Sequence, residues 1–92
     1  MEIKIKISEL EIWYDPKHCL KAVERSGYAL RYVKEQTPEV CLKAVENDGD
    51  ALQYVKEQTP EVCLKAVERN GDALRYVART FWDLFKGVIS EL

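Results

Sequence analysis

The chain has no apolar run approaching the ~20 residues of a membrane helix. Lys4 and Lys6 interrupt the early apolar stretch that a secretory leader would need. A membrane partner and a leader are therefore not expected. Glycine (4) and proline (3) are too scarce for a disordered or collagen-like chain. Charge of one sign is also lacking: 14 Lys+Arg face 16 Asp+Glu, a net charge of -2, which disfavours a general nucleic-acid binder. There is one histidine, and Ser8, Ser26 and Ser90 sit in no nucleophile elbow. Gly27, Gly49, Gly71 and Gly87 lie too far apart for a phosphate loop. At 92 residues the chain makes one small domain, too little for a large enzyme core. No enzymatic activity and no cofactor are expected.

What the chain does have is a repeat. Cys19, Cys41 and Cys63 recur every 22 residues. They mark three tandem units, 15–36, 37–58 and 59–80, with an arm at 1–14 and a tail at 81–92. All three units agree at 12 of 22 positions: the Pro, the run Cys-Leu-Lys-Ala-Val-Glu, the Gly, the pair Ala-Leu and the pair Tyr-Val. A fixed period of this size predicts supersecondary units that bury their apolar faces by stacking.

Each unit reads as two short helices. In the middle one, Thr37 suits the N-cap and Pro38 the first helical position. Glu39 places a negative charge in the first turn, where the helix dipole favours it. Val40, Cys41, Ala44 and Val45 form one apolar face. Gly49 is expected to end this helix in the left-handed conformation, and Asp50 to cap the next. Ala51, Leu52 and Val55 face the core on that second helix, which should run to about Gln58. In the first unit Tyr28 replaces Asp50 and Asp72, so its cap should be weaker. The expected fold is mainly α: short helical hairpins stacked as a small solenoid of either hand.

The ends differ. Phe81, Leu84, Phe85, Val88 and Leu92 share a helical face and predict a C-terminal capping helix, with Trp82 off the stripe and partly exposed. Ile3, Ile5 and Ile7 alternate with charged residues, as in a β-strand. Leu10, Ile12 and Tyr14 alternate in the opposite phase. This arm reads as a hairpin, a single strand, or a strand followed by a short helix capped by Ser8.

The unit EVCLKAVERNGDALRYV resembles the repeats of domain of unknown function 4116, in which Cys/Leu-x-Ala-Val, an Asn/Asp-Gly turn and Ala-Leu-x-Tyr-Val recur. The resemblance covers 66 of 92 residues, at 15–80. It implies a helical array with no assigned activity and no catalytic residue to carry over.

The cysteines do not have zinc spacing, because metal pairs usually sit two to four residues apart. An odd count also argues against a disulfide framework and for a reducing, cytoplasmic setting. They read as small core residues, and His18, in the slot of Val40 and Val62, as a partly covered side chain. Lys21, Lys43 and Lys65 should form a solvated ladder with Glu24, Glu46 and Glu68. Tyr32, Tyr54 and Tyr76 form a second ladder, either packing against the frame or offering an aromatic stripe to a partner.

The units differ at four positions that flank the inter-helix turn and fall along one edge of the stack. Arg25, Ser26, Tyr28 and Arg31 become Asn47, Asp48, Asp50 and Gln53, then Arg69, Asn70, Asp72 and Arg75. This is either exposed drift or a binding edge. The candidate partner-binding residues are Arg25, Tyr28, Arg31, Asp50, Gln53, Arg69, Asp72 and Arg75, together with Ile3, Ile5 and Ile7 of the arm, which can add a strand to another chain or to a second copy. The expected function is a non-enzymatic protein–protein interaction module. The alternatives are a small phage-type inhibitor of a larger enzyme and, less favoured because basic and acidic residues interleave, a nucleic-acid binder.

Overall fold

The computed structural model describes residues 12–85, with side chains to Trp82. Three α-helices, α1 (Pro16–Arg25), α2 (Pro38–Asn47) and α3 (Pro60–Arg69), alternate with 3₁₀-helices η1 (Gly27–Tyr32), η2 (Gly49–Tyr54) and η3 (Gly71–Tyr76). A further 3₁₀-helix, η4, spans Arg79–Phe85. The second helix of each unit is therefore 3₁₀ and stops at the tyrosine, short of the expected end. Val33, Val55 and Val77 follow in extended conformation. No strand occurs among the described residues.

The α-helix start signals act as read. Asp15 Oδ1 accepts from the Lys17 N–H at 3.2 Å, and Thr37 and Thr59 Oγ1 accept from Val40 and Val62 N–H at 3.2 Å. Each proline follows its cap. The 3₁₀ caps differ from expectation. Asp48 and Asn70, not Asp50 and Asp72, supply the side-chain oxygen, which accepts from the N–H two residues on at 3.0 and 3.1 Å. Ser26 makes no such bond, so the first unit does have the weaker cap, through a different residue.

The core runs the length of the stack. Val23, Leu30, Ala44, Val45, Leu52, Cys63, Ala66 and Ala73 are fully buried, and Cys19 and Cys41 nearly so. Each α-helix packs on the next, and η1 and η2 each pack on both their own and the following unit. Burying a Val or Leu side chain is worth roughly 1.5–3 kcal/mol, so this continuous seam, rather than helices of 10 residues or fewer, holds the fold.

Two of the three repeat glycines, Gly27 and Gly49, serve that packing. None of Gly27, Gly49 and Gly71 takes a positive φ, contrary to the left-handed expectation. A Cβ at Gly27 would stand 2.6 Å from the Ala44 carbonyl oxygen, and one at Gly49 would meet the Ala66 carbonyl oxygen. Glycine lets consecutive units approach backbone to backbone. Gly71 has nothing within 4 Å of that position, because no fourth unit follows.

At the ends, Ile12 to Tyr14 form a helical end and turn closed by Asp15 N–H donating to the Ile12 carbonyl at 3.1 Å. A strand through Ile12 and Tyr14 is therefore not formed. Ile3, Ile5 and Ile7 lie outside the described residues, as does the capping stripe beyond Phe85. The described part of that cap is 3₁₀ rather than α. The Trp82 indole is 41% exposed and donates to the Val77 carbonyl at 2.9 Å.

Candidate interaction surface

The four variable positions do not form one free edge. Asn47 Nδ2 donates to the carbonyls of Val23 (3.0 Å) and Glu24 (3.2 Å) at the end of α1. Arg69 Nε does the same for the Glu46 carbonyl at 3.0 Å, satisfying a C-terminal group of α2. Asn70 Nδ2 also donates to Asp50 Oδ1 at 3.3 Å, and Gln53 Nε2 to the carbonyl of Asp50 at 3.1 Å. Asp50 and Asp72 N–H groups are held by the caps. Arg69 and Asp50 therefore join neighbouring units. Arg25 is exposed in the last turn of α1.

Two glutamines missed in the sequence also join units. Gln36 Nε2 donates to the Tyr54 carbonyl at 2.9 Å, while its Oε1 accepts from Lys56 N–H at 2.9 Å and from the Cys41 thiol at 3.7 Å. Gln58 repeats this with the Tyr76 carbonyl (2.7 Å), Ala78 N–H (2.7 Å) and the Cys63 thiol (3.4 Å). The signal was available: Gln stands at 36 and 58, and Thr at 80, where no further unit follows.

Burial pushes the Cys41 and Cys63 thiols above their ordinary range; burial, then the Asp15 charge, does so for Cys19. All three are free thiols held in the core. No group of three or more His, Cys, Asp or Glu able to hold a metal ion occurs among the described residues. In the Lys–Glu ladder only Lys43–Glu46 comes within ion-pair distance among the described residues, at 4.0 Å and about half exposed. No helix among these residues is long and apolar enough to cross a membrane.

What the structure does bring together is aromatic. The rings of Trp13 and Tyr32 lie 5.4 Å apart, those of Tyr32 and Tyr28 6.5 Å, and those of Tyr28 and Tyr54 5.4 Å. His18 meets the Trp13 ring edge-on at 4.9 Å. The Arg31 guanidinium sits 4.8 Å from the Tyr28 ring centre and 5.1 Å from that of Tyr32. Tyr28 and Tyr32 are 46% and 45% exposed, so the patch is open to solvent. Its geometry grows from the first unit's departures: Tyr28 stands where the other units carry Asp50 and Asp72. At the far end Arg75 covers Tyr76 alone, at 4.8 Å.

The patch can bind apolar or aromatic groups on its ring faces and a carboxylate through Arg31. A family model described as Domain of unknown function (DUF4116) matches residues 19–59 and again 37–82, two overlapping spans that follow the repeats. No curated protein and no solved structure matches the chain.

Proposed function

The chain belongs to the DUF4116 family, and from this footing we propose that it is a non-enzymatic protein–protein interaction module, a short helical solenoid that presents one aromatic surface. The observation that carries this reading is the exposed cluster Tyr28, Tyr32 and Arg31 beside Trp13 and Tyr54. Tyr, Trp and Arg are the residues in which binding energy concentrates at interfaces. Their rings are ordered by one another before any partner arrives, which lowers the entropy lost on binding. The fitting partner is a protein segment that offers apolar side chains to the rings and an acidic side chain to Arg31.

The test is capture from nuclease-treated lysate with wild-type protein and with the double variant Tyr28→Asp/Arg31→Glu. Tyr28→Asp installs the residue that the second and third units carry at this position. The reading predicts a stoichiometric protein partner retained by wild type and lost by the variant, with helix content unchanged. Equal capture by both, or capture by neither, overturns it.

A further inference from the structure

Among the described residues, the two ends of the stack expose opposite halves of the contact that its units make with each other. On the forward side, Val23 and Val45 are fully buried by the following unit, whereas the equivalent Val67 is only half-buried. Leu20 and Leu42 are half-buried, and Leu64 is 51% exposed. Gly27 and Gly49 are buried, and Gly71 is exposed. On the backward side the pattern inverts. Ala44, Ala66 and Ala73 are fully buried and Ala51 nearly so, but Ala22 and Ala29 of the first unit are half-buried. Ala44 and Ala51 are among the residues that face Gly27 across the first joint.

From this we infer that the forward face of the third unit docks the backward face of the first unit of a second copy, head to tail. The contact continues the interface between units rather than inventing a new one. Its polar partners are already in register. Arg69 reaches back to the Glu46 carbonyl; Arg25 is the same residue type at the same position and faces the Glu68 carbonyl of the preceding copy. Ser26 makes no side-chain cap bond in its own chain and stands where Asn70 meets Asp50, so its hydroxyl faces Asp72. The joint also needs no glutamine from position 80, where the chain has Thr. Lys34 N–H, the group such a glutamine would bind, already donates to the Trp13 carbonyl at 3.0 Å. A head-to-tail contact that repeats the step between stacked units adds each copy further along the same stack, so assembly is open-ended. Lacking a covalent link and the glutamine, it is weaker than the joints within the chain.

The experiment is sedimentation velocity on the full chain from micromolar to millimolar concentration. Wild type should rise past the dimer without a plateau. Gly71→Leu should stay monomeric with unchanged circular dichroism and no loss of melting temperature, because its site is open in the single chain. Arg25→Glu should weaken association at least threefold, and Tyr28→Asp, on the aromatic patch, should leave it unchanged. A monomer at every concentration, a plateau at the dimer, or a Gly71→Leu variant that associates like wild type would each overturn the proposal. So would association abolished by removing residues 1–7 but not by Gly71→Leu, which would assign it to the N-terminal arm.

Discussion

The backbone oxygen of Trp13 does for the first unit what the side-chain oxygen of Gln36 does for the second. Trp13 O accepts from the Lys34 N–H at 3.0 Å and from the Cys19 thiol at 3.3 Å. Gln36 Oε1 accepts from the Lys56 N–H and the Cys41 thiol, the same two positions one period later. A unit thus needs one acceptor at the junction of its α-helix and the end of its 3₁₀-helix. The preceding unit's glutamine supplies it inside the stack, and the incoming backbone supplies it at the start.

Gln58→Ala should accordingly destabilise the protein by about 0.5–1.5 kcal/mol, the net worth of an intramolecular hydrogen bond at a half-buried site. Gln58→Glu keeps the acceptor for Ala78 N–H but sets an oxygen against the Tyr76 carbonyl, so it should not rescue. Urea unfolding of both variants checks this; a loss below about 0.5 kcal/mol for the alanine variant would contradict the role.

Gly49→Ala and Gly71→Ala are the same substitution in the same sequence context, with opposite expectations. At Gly49 the new methyl meets the Ala66 carbonyl and, at 2.9 Å, the Asn70 Cβ, so the joint must open. Overpacking of this kind costs about 1–3 kcal/mol. At Gly71 nothing is in the way, and removing a glycine's unfolded-state freedom should add about 0.4–1 kcal/mol. Thermal melts of the pair distinguish a packing role from a conformational one.

The three thiols should resist labelling in the native state. Burial raises their pKa and hides them, so native protein should react with a thiol reagent only as fast as it opens, and all three should react at once in denaturant. The pH dependence follows from the same direction. A pKa raised in the folded state contributes stability that is fully present below the ordinary value of 9.0 and is lost as pH rises through the higher folded value. Stability should fall above about pH 9 more steeply in wild type than in a Cys19→Ala/Cys41→Ala/Cys63→Ala variant, as followed by denaturant midpoints.

Thr59→Ala should cost about 1 kcal/mol through the lost cap on Val62 N–H. Lys43→Ala should cost no more than about 0.5 kcal/mol, because its pair with Glu46 is solvated. Chemical denaturation of the two variants side by side tests whether caps outweigh surface charge here.

The frame was legible in the sequence because local rules and the period agreed. The Thr-Pro start, the buried Val40-Cys41-Ala44-Val45 face and the core Ala51-Leu52-Val55 all follow from spacing alone. The glycine's role was not legible, since a tight approach and a left-handed turn leave the same letter in the sequence. Nor was the division of the variable positions. Asn47 and Arg69 differ in chemistry, yet both reach back to carbonyls of the previous helix, which only the three-dimensional offset between units reveals. The aromatic patch was half legible: Tyr28 stood out as a departure from Asp50 and Asp72, but its meeting with Trp13, Tyr32 and Tyr54 depends on how the 3₁₀-helices stack.

The most direct test of the interaction reading is titration calorimetry with the captured partner, comparing wild type, Tyr28→Asp and Trp82→Ala. Trp82 is also an exposed aromatic, but it lies on η4. The account predicts that Tyr28→Asp weakens binding by about 2 kcal/mol or more, roughly thirtyfold, as loss of a central aromatic anchor does, while Trp82→Ala binds like wild type. Equal affinity for wild type and Tyr28→Asp, or a loss confined to Trp82→Ala, would contradict it.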